Sequence, residues 1–339
     1  MDRQAEKLIE EKKLDYSQYS FYQTYEWNKF LDRHQSGFMF NVSLKRKDYI
    51  VLSIDGIPFV IVPLLIRRTS RKITLISGKI AGILNTVSPY VNSPEANYVF
   101  DKVVEYLRQR YKGWNFCFHD IPRHTPFLKA LIRSFNARGL SERGSYHIDL
   151  SRYSSFDKYL PTLSKNMYKN IRKAYNHLLT DKKQWSIKIY RNNNLPPTSY
   201  IWQIWQIYFL RKLAWKKLPA TPFMHFVCKC RGLKEALWGL KVKSMRECNE
   251  SELVVLEIDG KIASFMHVYR DYPYILMPKL AINASFSRYS PGIIMLIESL
   301  KRYYNEGIID FDMCRGDERY KRDMGGVCTP LGAINIKES

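Results

Sequence analysis

One order of elements occurs twice along this chain, and it constrains the fold more than any single residue does. Residues 52–62, LSIDGIPFVIV, read as strand, turn and strand around Asp55-Gly56, and residues 256–266, LEIDGKIASFM, read the same way around Asp259-Gly260. Asp-Gly between β-rich runs marks a tight hairpin, because glycine accepts the positive φ that such turns demand. After each hairpin come further strands, then a helix and a strand. In the first half the helix is Glu95 to Tyr111 and the strand Trp114 to Phe118; in the second they are Ile293 to Asn305 and Ile308 to Met313. Identity between the halves is weak, so the repeat is one of pattern. It predicts an α/β (α+β) protein of two tandem units, each a mixed twisted sheet flanked by helices. The boundaries expected are 1–150 and 151–339, and 339 residues suffice for two separate cores.

A helical region joins the halves. Ser164 is placed to cap a helix whose apolar positions Met167, Ile171, Ala174 and Leu178 recur at helical spacing, while Lys165, Lys169, Arg172 and Lys173 form its other face. A strand follows at Trp185 to Tyr190. Thr198 to Lys217 then reads as a long aromatic helix with Ile201, Trp205, Phe209 and Leu213 along one stripe. Such a stripe is read as packing, with Trp202, Trp215 and Lys216-Lys217 leaving lipid contact open.

Charge narrows the partners. Lys and Arg number 54 against 32 Asp and Glu, a net charge of +22. That field favours polyanions: CoA phosphates, acyl carrier protein, tRNA or other nucleic acid, or an anionic membrane surface. The six cysteines form no CxxC pair and lie near no His cluster at zinc spacing, so no metal is expected. Residues 1–15 are charged and lack an apolar signal core, and the longest apolar run, Ile57 to Ile66, is too short to span a bilayer. A cytoplasmic location is expected, with peripheral contact at the inner membrane face left open.

The stretch Asp310 to Lys321, DFDMCRGDERYK, concentrates the chemistry. Polar residues leaving the C-terminal end of a buried strand are where α/β proteins place ligand contacts. Arg315 and Lys321 suit phosphates or a carboxylate, Asp317 suits an amine or hydroxyl, and Tyr320 could protonate a leaving thiolate. A salt-bridged surface loop explains the same residues equally well. Upstream, Ser290-Pro291-Gly292 opens a helix: Gly292 permits close approach of a ligand, and the free N–H groups of a helix start attract anions. Taken alone, Ser290 before this helix reads as an ordinary N-cap sooner than as part of a cofactor loop.

Several blocks together resemble the bacterial GNAT acyltransferases typified by CelD. These are Tyr289-Ser-Pro-Gly, a helix, Glu306-Gly, Asp310-Phe-Asp, and Arg315-Gly-Asp-Glu-Arg-Tyr-Lys, closed by Gly325 or Gly326. Ser164-Lys-Asn with Asn170-Ile-Arg-Lys-Ala, and Phe21-Tyr-Gln-Thr-Tyr-Glu-Trp27, are similar to two further family segments. The resemblance implies tandem GNAT folds related to the Fem-type aminoacyltransferases. It also implies acyl transfer from a thioester, acyl-CoA or acyl carrier protein, to an amine or hydroxyl of a small-molecule, sugar or envelope-precursor acceptor. Residue by residue it covers Gly292, Asp312, Arg315, Gly316, Asp317, Tyr320 and Lys321. The family's pyrophosphate loop departs here, with Arg288 and Gly292 separated by a segment containing Pro291.

The expected catalytic groups are then Asp317 as general base, with His267 as the other candidate, and Tyr320 as acid. Arg288, Ser290, Gly292, Arg315, Gly316 and Lys321 are expected to hold the donor. Two rival readings stand beside this one: a Fem-like transferase that takes its group from aminoacyl-tRNA, and a non-catalytic binder of nucleic acid or anionic membrane.

Overall fold

The computed structural model describes residues 25–35, 45–54, 57–76, 94–122, 126–135, 143–192, 194–219 and 221–337. The Asp55-Gly56 turn, residues 1–15 and residues 21–24 lie outside them. In chain order the elements are α1 (Tyr25–Gln35), β1 (Lys45–Ile54), β2 (Ile57–Arg67), β3 (Lys72–Leu75), α2 (Pro94–Arg110), β4 (Asn115–Pro122) and α3 (Pro126–Phe135). There follow β5 (Arg143–Asp149), α4 (Phe156–Tyr159), α5 (Lys165–Thr180), β6 (Trp185–Tyr190), α6 (Thr198–Trp215), α7 (Pro222–Trp238) and α8 (Leu240–Glu247). The chain closes with β7 (Ser251–Ile258), β8 (Lys261–Asp271), β9 (Tyr274–Ile282), α9 (Pro291–Asn305), β10 (Asp310–Arg315), α10 (Arg319–Asp323) and β11 (Val327–Lys337).

The chain forms two compact units. One gathers the described residues up to Ser145 with Cys314–Asp317 and Cys328 onward; the other is Tyr146–Met313 with Glu318–Val327. The sequence reading kept 151–339 together, whereas residues 314–317 and the last strand pack with the first unit.

In the first unit the strand order is β1-β2-β3-β4-β11. β1 and β2 pair antiparallel, β3 joins β4 in parallel, and β11 closes antiparallel on β4. Phe100, Val103, Val104 and Leu107 of α2 and Phe127 and Leu131 of α3 fill a core against Phe116 and Phe118 of β4.

The second unit orders its strands β5-β10-β9-β8-β7-β6. The Asp259-Gly260 hairpin forms as expected, with φ of 49° and 71° at the two turn residues. Helices cover both faces of this mixed sheet. On one, Met167, Ile171, Ala174 and Leu178 of α5 pack with Ile294, Ile297 and Leu300 of α9 against β7, β8 and β10. On the other, Ile201, Ile204 and Trp205 of α6 and Val242 and Met245 of α8 meet Leu253, Val255 and Phe265. Ser164 caps α5 as its sequence position suggested, its hydroxyl accepting from the Met167 N–H at 3.1 Å.

Candidate functional site

The strand pair β9–β10 opens partway along its length. The two run parallel through Tyr274/Asp310, Ile275/Phe311 and Leu276/Asp312, and β9 then continues to Ile282. On its other side, Tyr269 of β8 pairs with Leu276 but His267 pairs with Lys279. Strand β9 therefore spends three steps where β8 spends two, a bulge at Met277-Pro278. Proline has no N–H for a ladder and favours such a bulge, which bends the strand and re-aims its backbone groups.

A helix start lies against the far end of β9. After Ile282 the chain makes a tight turn over Ala284–Tyr289, which Asn283 caps by accepting from Ser285 N–H at 3.1 Å. Ser290 then takes φ 45° and ψ 53°, and its carbonyl accepts from Ile293 and Ile294 N–H at 2.9 and 3.3 Å. Its hydroxyl makes no cap hydrogen bond, so the structural role considered for it falls to its backbone. A β-carbon on Gly292 would sit 2.9 Å from Ile282 Cγ2, so only glycine lets α9 begin this close to β9. The first N–H groups of a helix have no carbonyl within it and, with the helix dipole, suit an anion.

Arg288 is tied elsewhere. Its guanidinium donates to Asp181 at 2.8 and 3.3 Å, Tyr289 Oη donates to the same carboxylate at 3.0 Å, and His177 Nδ1 meets the Arg288 carbonyl at 2.8 Å. The Arg288 and Tyr289 hydrogen bonds hold the Asp181 carboxyl below its ordinary range. This lashing fixes the β9–α9 turn onto the C-terminus of α5. It also occupies the side chain expected to hold phosphate.

Strand β10 brings up a histidine with no signal in the sequence. His147 of β5 places Nδ1 3.1 Å from Asp310 Oδ1 and Nε2 3.8 Å from Asp312 Oδ1. Burial alone would lower the imidazole, but the carboxylates of Asp312 and Asp310 outweigh it and push it up to about 9. Asp312, on the last paired rung, is 4% exposed. Beyond it Cys314 turns at φ 57°, and Arg315 pairs with the buried Asp120 while Gly316 N–H donates to Gly144 at 3.1 Å.

The remaining expected residues separate. Asp317 is exposed and Tyr320 half-buried against the core of the second unit. Lys321 is only 2% exposed, with Nζ 3.1 Å from Glu318 Oε2 and 5.9 Å from the Tyr146 ring centroid. An ammonium so enclosed is placed to hold its own turn and not to reach for a solvated phosphate. His267 is also enclosed: Nε2 lies 2.8 Å from Ser251 Oγ, the ring meets Tyr269 edge-on, and Nδ1 has no hydrogen-bond partner. Burial, helped by Lys241 and Lys279, drives its imidazole well below the ordinary value, so it is neutral. With no approach for an acceptor, it is a core histidine, which corrects its candidacy as general base. Among the described residues no group of three or more His, Cys, Asp or Glu could hold a metal ion.

Known proteins share the fold. The family described as Acetyltransferase (GNAT) domain matches residues 232–322. FemX superposes with a TM-score of 0.57 at 10% identity, covering 92% of each chain. The C-terminal domain of a protein assigned as a lysylphosphatidylglycerol synthetase from Agrobacterium fabrum gives 0.56 at 12% identity, over 98% of this chain and 92% of that one. A tandem GNAT protein from the clavulanic acid biosynthesis pathway gives 0.50 at 10%, over 88% and 84%. At these identities the likeness is one of fold: a mixed α/β architecture of tandem GNAT-like units. No curated protein sequence matches the chain.

Proposed function

We propose, starting from the GNAT domain matched over residues 232–322, that this chain transfers an acyl group from an activated donor to an amine or hydroxyl. The observation that carries this reading is the parting of β9 from β10 after Leu276/Asp312, with a bulge in β9 at that point and Gly292 of α9 pressed on its far end. A strand edge with re-aimed N–H groups can polarise a carbonyl laid along it, and a helix start can hold the donor's anionic portion.

In this reading the acceptor's lone pair attacks the donor carbonyl directly. The new C–N or C–O bond forms, the carbonyl oxygen takes the charge, and the C–S bond then breaks. The family resemblance offers Asp317 as the candidate base for the acceptor's proton and Tyr320 as the candidate acid for the departing thiolate. Arg288, Arg315 and Lys321 each already face a carboxylate, on Asp181, Asp120 and Glu318. The backbone N–H of Gly292 therefore carries more of the donor's recognition than any of these three cations, because those of Ile293 and Ile294 already donate to the Ser290 carbonyl. The thioester is acyl-CoA or an acyl carrier protein, and the protein works in the cytoplasm.

A second reading has its own support. The exposed face of α5 presents Lys165, Lys169, Arg172 and Lys173, a basic strip suited to tRNA. The fold is also shared with FemX and with a protein assigned as making lysylphosphatidylglycerol, an aminoacylated lipid. Aminoacyl-tRNA as donor would leave the acyl-transfer chemistry unchanged, with an ester in place of the thioester.

Thermal stabilisation separates the two. Acetyl-CoA, a long-chain acyl-CoA and charged tRNA would each be added at low and high salt. The thioester reading expects stabilisation by an acyl-CoA at both. Stabilisation by tRNA alone, collapsing in salt, would overturn it in favour of the second.

A further inference from the structure

The hairpin of α6 and α7 carries a surface that the transferase chemistry does not use. Helix α7 packs inward through Cys228, Gly232 and Ala236, spaced four residues apart. A β-carbon on Gly232 would meet the Gln206 N–H nitrogen at 3.0 Å and Trp202 Cδ1 at 3.1 Å, and Trp202 Nε1 donates to the Lys229 carbonyl at 2.8 Å. The hairpin is therefore closed along this inner face. Its outer face is apolar. Phe223, Phe226, Cys230, Leu233 and Leu237 recur at alternating three- and four-residue steps, and all five are exposed. Phe223 and Phe226 are 70% and 61% exposed, and Trp215 at the hairpin tip is 76% exposed.

Exposed apolar side chains scattered singly need no explanation, but a continuous apolar stripe on one helix face, with two phenylalanines at its start, does. What surrounds the stripe identifies its partner. At 100° per residue, Lys229 and Lys234 stand on either side of it, and Lys216-Lys217 follow Trp215 at the tip. Across residues 211–238 there are seven Lys and Arg against the single Glu235. Self-association through this stripe would bring those like charges together. A surface that is apolar within and negative at its boundary would satisfy both parts at once.

We infer that the outer face of the α6–α7 hairpin docks on an anionic lipid bilayer, the aromatic residues entering the acyl boundary and the lysines meeting the headgroups. Among the described residues no helix is long and apolar enough to cross a membrane. It stands independently of the donor assignment.

Flotation of the full chain with phosphatidylcholine vesicles, with and without phosphatidylglycerol, tests it. Binding is expected only with phosphatidylglycerol. Phe223→Ser/Phe226→Ser should weaken it at least about tenfold, as the loss of two buried aromatic rings requires. The same charge removed from α5, in Lys165→Glu/Lys169→Glu, should weaken it less than Lys216→Glu/Lys217→Glu does. Brominated lipid should quench tryptophan emission, and Trp215→Phe should remove most of the quenched part. Equal losses from the α5 and hairpin variants, or no quenching, would mean diffuse charge attraction and overturn the proposal. So would a dimer in sedimentation velocity that Phe223→Ser/Phe226→Ser dissolves, if vesicles bind nothing.

Discussion

Leu276 of β9 and Asp312 of β10 form the last paired rung between two parallel strands, and β9 runs on past it to Ile282 with one extra residue at Met277-Pro278. A strand that leaves its neighbour exposes a row of backbone groups. A bulge at the point of departure turns that row. The opening and the glycine start of α9 are the two features on which the proposed donor site rests.

The glycine start can be tested by volume. Gly292→Val places methyl groups where a β-carbon alone already lies 2.9 Å from Ile282 Cγ2. The helix start must retreat, and donor affinity should fall by at least about tenfold, the equivalent of ~1.4 kcal/mol. Ile282→Ala in the same chain should restore part of the loss. Isothermal titration of both variants, with circular dichroism to confirm the fold, checks this.

Proton transfer is tested by two substitutions. Asp317→Asn should lower kcat by about a hundred- to ten-thousandfold if it is the base. Tyr320→Phe should cost most with a donor whose leaving thiol has a high pKa and least with one that leaves easily. Unchanged turnover in both variants would remove these roles.

His147 makes stability depend on pH in a definite direction. Its folded-state value, raised to about 9 by Asp312 and Asp310 against the opposing effect of burial, lies above the ordinary 6.5. The folded state therefore binds the proton more tightly, and that stabilisation is fully present below pH 6.5 and lost as pH rises through 9. Denaturant midpoints measured across this window should decline in the parent chain. In His147→Gln the decline should be shallower.

Glu252 of β7 is a buried carboxylate, 0% exposed. Arg302 donates to it, as do Tyr303 Oη at 2.6 Å and Arg270 at 3.4 Å. Burial would raise its carboxyl, yet the Arg302, Tyr303 and Arg270 contacts outweigh that and hold it below the ordinary value. Arg302→Met removes the cation that donates to both carboxylate oxygens and leaves Arg270 at 3.4 Å, so it should cost about 1.5–3 kcal/mol in urea unfolding. Adding Glu252→Gln should return part of it.

Much of the fold was legible because its signals are local. The Asp259-Gly260 turn, the stripe of α5 with its Ser164 cap, and Pro291-Gly292 at the start of α9 each lie within a few residues of what they specify. Contacts across long stretches were not legible. His147 meets Asp310 across 163 positions, and neither strand hints at the other. The sequence does not tell that Asp181 and Asp120 would occupy Arg288 and Arg315, or that Lys321 would turn inward. His267 alternated properly along its strand, but periodicity cannot say which face is closed by α8. One signal was there to be used: Pro278 inside a strand demands a bulge or an edge.

Hydrogen exchange on the intact chain tests the central claim most directly. With a donor bound, acyl-CoA or charged tRNA, those amides of β9 beyond Leu276 that point away from β8 and the amide of Gly292 at the start of α9 should gain protection together. Protection confined to other segments, or none with either donor, would contradict a donor site at the parting of β9 from β10.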